Sequence, residues 1–396
     1  MLLNPLDPPY PHFTFQATRG KQEEIRETPL TREQSQDAET ENKTNPSVLF
    51  VTRSYPPVVG GMEMLSYNLT TSIGKITKTR VIANTRGKKY LPVFVVTAFF
   101  EALSCANQFD IIHIGDPVLS KLAWLIKKLT KKPVVIEVHG LDILYKSKIY
   151  QWYLSLFFRN ADSYICISNH VQKILHDKFS NLKSIVITPG VHDEFYRSSV
   201  AKKDLQPILG FDPSNKKIIL TTCRLVERKG VAWFVEHVMP KLPNNMLYII
   251  AGRGPEQEKI THLIKKLHLE DKVYFVGGVS KENLALLYNS ADIFIMPNIA
   301  VSNDAEGFGL VALEASSCGT PVIASPIEGI TDAVIEGKNG WLAQEKNPES
   351  FSELIMNHID DKQNISESVR QFVLQNYNWQ NIAQQYLDVF KALINK

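Results

Sequence analysis

The stretch Glu306–Ser325, EGFGLVALEASSCGTPVIAS, combines a glycine-bearing loop, a helical pattern and an apolar strand pattern. Gly307 and Gly309 lack side chains, so the backbone of this loop can approach a ligand closely. The residues from Leu310 onward predict a helix that stops at Gly319 and is followed by a buried strand. Because free amides and the helix dipole point out of a helix N-terminus, the loop is a candidate anion site.

Two carboxylates, Glu306 and Glu314, lie eight positions apart in this stretch. On one helix that spacing would separate them by roughly 12 Å, which is too far for a glycosidase pair or a shared metal. We therefore place one glutamate before the helix and the other inside it, where they would hold two parts of an elongated ligand. A nucleotide sugar fits, with its phosphates at the amides and its ribose and sugar at the carboxylates. Taken alone, the spacing also fits an ordinary αβ unit with two surface glutamates.

The rest of the chain predicts two parallel sheets. Eleven apolar segments alternate with helical segments, at 48–52, 79–83, 110–114, 133–138, 163–167, 184–187, 217–222, 246–251, 273–276, 293–296 and 321–324. Apolar, largely β-branched strands that alternate with helices are typical of a parallel sheet covered on both faces. The predicted fold class is α/β, with two Rossmann-like doubly wound domains facing a cleft, and ligands are expected outside the carboxyl ends of the strands. Residues 85–109 give no clear pattern.

The predicted organisation has four parts. Residues 1–46 are polar, with five basic and eight acidic residues, and predict a disordered tail. Residues 47–200 and 201–376 form the first and second Rossmann-like domains. Residues 377–396 contain an amphipathic helix that closes the chain.

The motif that begins at Pro297-Asn298 and continues through Glu306–Ser325 resembles the C-terminal signature of the family-4 retaining glycosyltransferases, which have the two-domain GT-B fold. The resemblance covers about residues 47–396. It implies an acceptor domain, then a donor domain, and a terminal helix that crosses back onto the first domain. The implied function is a metal-independent, retaining transfer of a hexose from a nucleoside-diphosphate sugar to a glycan, lipid-linked or small-molecule acceptor.

A basic loop, Arg224-Leu-Val-Glu-Arg-Lys-Gly230, follows the strand at 217–222. Fixed cations such as Arg224 and Lys229, together with helix-end amides, can stabilise the charge that develops as the sugar departs from the diphosphate. A solvated basic turn is the alternative, and we expect Arg228 to be a surface residue. By resemblance, Arg224 and Lys229 contact the diphosphate. The resemblance also assigns phosphate to the backbone of Gly307, Phe308, Gly309 and Leu310, ribose to Glu314, the transferred sugar to Glu306, and the base to Val279.

Three positions in the first half complete the predicted site. Gly60 and Gly61 follow the first strand, where they permit backbone to approach phosphate or acceptor, although a tight turn explains them as well. His139 follows the strand at 133–138, and the resemblance favours it as a positioning donor and proton relay over a structural histidine. His113 and Asp116 are weaker candidates for the acceptor side.

Composition limits the setting. The net charge of +3 does not imply nucleic acid, and the four cysteines show no metal-ligand spacing, so we expect reduced thiols, no metal and no cofactor beyond a UDP- or GDP-linked substrate. The N-terminus does not read as a secretory signal, and no apolar run reaches about 18 residues, so no spanning helix is expected. We predict a cytoplasmic protein, peripheral at the inner face of the membrane through a basic amphipathic helix at Lys121–Lys132. An ordinary half-buried helix with solvated lysines is the alternative there.

Other functions remain open at this point. A non-hydrolysing sugar-nucleotide epimerase on a similar fold would turn over a UDP-sugar without an acceptor, and an inactive GT-B shell would only bind. The set of Arg224, Lys229, Glu306 and Glu314 argues against the inactive shell. A dinucleotide dehydrogenase is less favoured, because no G-x-G-x-x-G follows the first strand.

Overall fold

The computed structural model describes residues 45–58, 60–302 and 304–395, and the predicted disordered tail lies outside them apart from Asn45 and Pro46. The described residues contain two six-stranded sheets in which every strand pair is parallel. The strands are β1 Val48–Thr52, β2 Thr79–Ala83, β3 Ile111–Ile114, β4 Val134–Val138, β5 Ser163–Cys166, β6 Ser184–Val186, β7 Lys217–Thr222, β8 Met246–Ala251, β9 Val273–Gly277, β10 Ile293–Met296, β11 Val322–Ala324 and β12 Gly340–Leu342.

Helices connect these strands. They are α1 Gly61–Gly74, α2 Leu91–Cys105, α3 Ser120–Thr130, α4 Leu141–Leu144, α5 Lys148–Phe157, α6 Asn169–Lys178, α7 Gln206–Leu209, α8 Val231–His237, α9 Gln257–Lys266, α10 Lys281–Ser290, α11 Leu310–Ser317, α12 Pro348–His358, α13 Lys362–Asn376 and α14 Trp379–Ile394. The helix predicted after the glycine-bearing loop is confirmed as α11, and Gly319 just beyond it has a φ of +76°.

The strand order creates the same feature in both sheets. The first sheet has the order β2-β1-β3-β4-β5-β6 and the second has β12-β11-β10-β7-β8-β9. The order therefore reverses between β1 and β3 in the first sheet and between β7 and β10 in the second. Connections leave in opposite directions at such a switch point, which opens a crevice outside the carboxyl ends of the strands. The predicted α/β class with two doubly wound parallel sheets is confirmed.

The terminal helix α14 packs against α1 and covers the first sheet. Its Tyr386 and Phe390 lie against the ring of His113 in β3, with centroid distances of 5.9 and 6.1 Å. His113 is 2% exposed and Asp116 is fully buried, paired with Arg53 at 2.7 Å. The prediction that these two residues line the acceptor side is wrong, because both are covered by neighbouring protein atoms.

The segment without a clear pattern forms α2. Together with the short turns at its two ends it spans Lys88–Gln108, and by length and composition alone it could cross a membrane. The segment is longer and more apolar than the sequence analysis expected. In the structure α2 packs along the first sheet, with Phe94, Ala98 and Ala102 buried.

The basic helix predicted at Lys121–Lys132 is α3, which ends at Thr130. Most of its apolar stripe is buried, with Leu122 at 2% and Ile126 at 0% exposure, whereas Leu129 is 59% exposed. The buried part of the stripe packs inward and cannot rest on lipid, so that part of the membrane prediction is wrong. The helix is half-buried, with lysines on its outer side.

Candidate active site

A cavity of about 310 Å³ lies at the carboxyl ends of both sheets. Eight of the twelve predicted site residues line it: Gly61, His139, Lys229, Glu306, Gly307, Phe308, Gly309 and Leu310. The other four, Gly60, Arg224, Val279 and Glu314, lie outside this cavity. Residues from the loops after β1, β4, β7 and β10 therefore meet at one place, as the two switch points require.

The glycine-bearing loop joins the two halves at the cavity. Gly309 precedes the first residue of α11 with a φ of +104°, a backbone conformation that suits glycine. A Cβ atom on Gly307 would lie 2.7 Å from the backbone oxygen of His139, in the other half of the molecule. The absence of a side chain at Gly307 thus allows the loop to contact the end of β4.

Glu306 is fixed from several directions. Its Oε2 atom accepts hydrogen bonds from the side chains of Arg228 and Lys229 and from Asn298 Nδ2 at 3.1 Å. Its backbone amide donates to the Glu328 carboxylate. Burial alone would raise the pKa of Glu306, but the neighbouring Lys229 and Arg228 cations outweigh burial and hold the pKa below its usual value. The cavity therefore presents a fixed carboxylate beside two cations.

Arg228 belongs to this cluster, and the prediction that it is a surface residue is wrong. Its side chain is 12% exposed, lines the cavity, and pairs through Nε with Asp304 Oδ1 at 3.0 Å as well as with Glu306. Gly230 follows the turn at Glu227–Lys229, and a Cβ atom on it would lie 1.8 Å from the Pro297 backbone oxygen. This close approach brings the loops after β7 and β10 together. Arg224, in contrast, is exposed.

His139 follows β4 and contributes from the first half. Its Nε2 atom lies 3.0 Å from the Gly115 carbonyl oxygen, so Nε2 carries a proton and donates to it. Its backbone amide donates to Asp142 at 2.9 Å. Burial would lower the pKa of His139, but the carboxylates of Glu137 and Asp142 outweigh burial and raise it. The surroundings therefore favour the imidazolium, which has a second N–H to offer at Nδ1.

The other predicted residues lie beside the β7–β10 switch point. Glu314, on α11, accepts a hydrogen bond from Tyr288 Oη at 2.7 Å, and Tyr288 in turn lies 2.8 Å from Thr222 at the end of β7. Burial raises the pKa of Glu314. Val279 is partly buried in the turn after β9. Lys281, the first residue of α10 after this turn, pairs with Glu194 at 2.6 Å.

Five residues around the cavity were missed: Asn298, Asp304 and Glu328 as supports of the Glu306 cluster, and Glu137 and Tyr386 beneath His139. Asn298 could have been identified from the sequence, since it belongs to the Pro297-Asn298 motif that opens the C-terminal signature. The others have no local pattern, because their partners are distant in the sequence.

Two family profiles match this chain in succession. The profile described as Glycosyltransferase Family 4 matches residues 47–195, and that described as Glycosyl transferases group 1 matches residues 206–383. The chain is a family-4 glycosyltransferase. The predicted family and enzyme class are confirmed, and the chemistry is transfer of a sugar from a nucleotide sugar.

Relatives of this glycosyltransferase cover most of its length. The D-inositol 3-phosphate glycosyltransferase of Corynebacterium urealyticum is 28% identical, over 77% of this chain and 78% of the relative. The GDP-mannose-dependent alpha-(1-6)-phosphatidylinositol monomannoside mannosyltransferase of Mycolicibacterium smegmatis is 24% identical, over 84% and 95%. The structure of Anabaena HepE in complex with UDP and glucose superposes with a TM-score of 0.69 at 21% identity, covering 88% of this chain and all of that one. This solved structure confirms the GT-B fold.

Proposed function

We propose that this glycosyltransferase moves a hexose from a UDP- or GDP-linked donor to a glycan, lipid-linked or small-molecule acceptor, with retention of configuration and without a metal. The observation that carries the proposal is the cavity in which Lys229 and Glu306 of one half face His139 and Gly61 of the other. Residues 47–200 then form the acceptor domain, 201–376 the donor domain, and 377–396 the closing helix.

The donor diphosphate binds on the second half in this proposal. Lys229 and Arg224 supply cations, and Arg228 adds a third that holds Glu306 in place. Backbone amides of the Gly307–Leu310 loop and the N-terminus of α11 complete the anion site. As the bond between the sugar and the phosphate breaks, these fixed charges stabilise the leaving diphosphate without rearranging. Gly60 and Gly61 leave room for the phosphate side of the ligand opposite them.

The transferred sugar lies between Glu306 and His139. Glu306 is ionised at neutral pH, so it can accept hydrogen bonds from sugar hydroxyls and stabilise positive charge at the anomeric carbon. Its three side-chain donors orient the carboxylate for binding rather than for attack on carbon. His139 positions the sugar and relays a proton. The leaving phosphate assists the acceptor on the same face of the sugar, which retains the configuration.

The nucleoside extends toward Glu314 for the ribose and Val279 for the base. The proposal includes both UDP- and GDP-linked donors, because the solved Anabaena structure contains UDP whereas the Mycolicibacterium relative is named for GDP-mannose. The same relative is named for a phosphatidylinositol glycolipid acceptor, which supports a lipid-linked acceptor here. We accordingly place the enzyme in the cytoplasm, peripheral at the inner face of the membrane, with the Lys121–Lys132 lysines contributing to the contact.

Product analysis tests the reaction type. The protein is incubated with each UDP- and GDP-hexose, with and without a panel of glycan and lipid-linked acceptors, and released nucleotide and product anomers are followed by NMR. The proposal predicts acceptor-dependent nucleotide release and a product with the anomeric configuration of the donor. Turnover that yields only an epimerised nucleotide sugar, or a product of inverted configuration, would refute it.

A further inference from the structure

We propose that an anionic lipid bilayer is the partner of one apolar and basic face of the first half, made by three adjacent helices. We define the outer helical face as the exposed side chains Val93, Val96 and Phe100 of α2, Ile149, Trp152 and Leu156 of α5, and Lys121 and Lys128 of α3. This proposal extends the membrane contact of the proposed function, and it depends on the proposed function only for the lipid-linked acceptor.

Helix α2 is apolar on every side. Its only ionisable side chains are Glu101 and Cys105. One side packs on the sheet, yet Val93, Val96 and Phe100 on the other side are 62%, 57% and 66% exposed. A helix that is apolar all round is normally buried on all sides or placed in lipid, so the exposed side of α2 lacks a partner among the described residues. Because its inner side is packed against the sheet, α2 can lie in a bilayer surface but cannot cross the bilayer.

Helix α5 adds a second exposed apolar row. Leu154 is fully buried, whereas Ile149, Trp152 and Leu156 are 78%, 63% and 47% exposed. Tryptophan is favoured at the boundary between lipid and water, because its ring is amphipathic. Helices α2 and α5, both in the first half, thus expose large apolar side chains.

Helix α3 lies between the two and supplies the charge. It contacts α2 on one side and α5 on the other, where the Tyr153 hydroxyl accepts a hydrogen bond from the Lys121 amide at 2.9 Å. The Lys121 ammonium lies 5.8 Å from the Phe157 ring, and the Lys128 ammonium lies 5.3 Å from the Trp124 ring. Such lysines keep apolar stems along the surface and present their charges to lipid phosphates.

Charge complementarity selects lipid over a second copy of this chain. Residues 86–159 contain eleven basic and five acidic residues. Of the acids, Asp116 and Glu137 are buried and Glu101 pairs with Arg80, so they do little to offset the lysines. A symmetric dimer through this face would bring the same lysines together, which is unfavourable. An anionic bilayer offers both the apolar interior and the opposite charge that the face requires.

The face also reaches the cavity. Leu141 lines the cavity and is 42% exposed, and Tyr145, at 67% exposure, contacts Tyr150 of α5 with a ring distance of 5.9 Å. Exposed apolar side chains therefore lie both at the edge of the cavity and against α5. In this proposal an acceptor anchored in the bilayer presents its head group to His139 and Glu306 from that side.

Vesicle flotation with the full chain tests the inference. One vesicle set is phosphatidylcholine alone, and the other is an equal mixture of phosphatidylcholine and phosphatidylglycerol. We expect binding to the anionic vesicles that weakens as salt is added. The pair Phe100→Ser/Trp152→Ser and the pair Lys121→Gln/Lys128→Gln should each weaken binding by about tenfold or more. Matched controls on the other half, Met356→Ser and Lys265→Gln/Lys266→Gln, should bind as the wild type does.

Two further readouts keep the outcomes distinct. Stabilisation by nucleotide sugars, measured without vesicles, should be unchanged in all of these variants, so loss of donor binding would count against the proposed function and not against this face. Absence of wild-type binding to anionic vesicles, or equal binding by the face variants and the controls, overturns the inference. A lipid-free dimer that Phe100→Ser/Trp152→Ser dissociates would assign the face to a second copy and overturn it too.

Discussion

The Tyr386 hydroxyl on the terminal helix α14 donates a hydrogen bond to the Glu137 carboxylate of β4 at 3.1 Å, although the two residues are 249 positions apart. Glu137 is a residue of β4, is 2% exposed and stands two positions before His139, which follows the strand. Burial raises the pKa of Glu137, and the neighbouring His139 and the Tyr386 hydrogen bond act in the opposite direction. The last helix of the chain thus supports the residues directly beneath the cavity.

This contact predicts that Tyr386→Phe is destabilising. The substitution leaves a buried carboxyl group without one of its donors, which costs about 1–3 kcal/mol of unfolding free energy. Urea denaturation measures the change. The matched control Tyr145→Phe, at a residue 67% exposed, should change stability by less than about 0.5 kcal/mol. Equal effects of the two substitutions would show that the Glu137 contact contributes nothing.

The charge on His139 predicts how activity depends on pH. Against the effect of burial, Glu137 and Asp142, helped by Asp116, raise the pKa of His139, so its charged form persists to higher pH than that of an ordinary histidine. We expect transfer to fall as pH rises through this raised pKa, and the stability that the charged form contributes to be lost over the same interval. A rate profile against pH, with parallel thermal melts, measures both. In His139→Asn that alkaline limb should vanish, and an unchanged limb would assign it to another group.

Arg228→Gln should weaken donor binding by about tenfold or more, because it removes a charge-assisted bond from Glu306 and leaves Asp304 unpaired. Titration calorimetry with the donor measures the affinity. The control is Arg80→Gln, which breaks the half-exposed pair with Glu101 and should have little effect. Wild-type affinity in Arg228→Gln would show that Arg228 contributes nothing to donor binding.

Gly307→Ala should reduce activity by displacing the loop from His139. The new methyl group would lie 2.7 Å from the His139 carbonyl oxygen, and relieving such a contact typically costs about 1–3 kcal/mol. Steady-state kinetics and thermal melts would show the effect. The control Gly337→Ala strains an exposed glycine with a φ of +67° but meets no atom within 4 Å. It should lower stability without changing the donor KM, and a matching KM change in both would indicate a general backbone effect.

The sequence predicted the features that depend on local patterns. All eleven predicted strands are present, because buried parallel strands are recognisable as short apolar runs between turns. The strand β12 was missed because three residues that begin with a glycine give no such run. Helix α2 was missed because it is apolar on all sides and therefore has no period of 3.6 residues.

The supports of the site could not be predicted in this way. Arg228 was expected at the surface because its partners, Asp304 and Glu306, are brought to it only by the switch point between β7 and β10. Glu137 looks like an isolated acid within an apolar strand until α14 packs beside it. The predicted site residues themselves were recognisable because they belong to a family motif, whereas the charges that fix them depend on tertiary contacts.

The most direct test of the central claim is thermal-shift binding against UDP-, GDP- and ADP-sugars in the presence of a chelator. The account predicts stabilisation by one UDP- or GDP-linked class, roughly 2.7 kcal/mol at a ligand concentration 100 times the dissociation constant. Lys229→Ala should lose this shift, Glu306→Ala should at least weaken it, and Lys265→Ala, at an exposed lysine of α9, should retain it. Both site variants should also abolish transfer while remaining folded. No shift with any nucleotide sugar, or a full shift and normal transfer in Lys229→Ala and Glu306→Ala, would contradict the account.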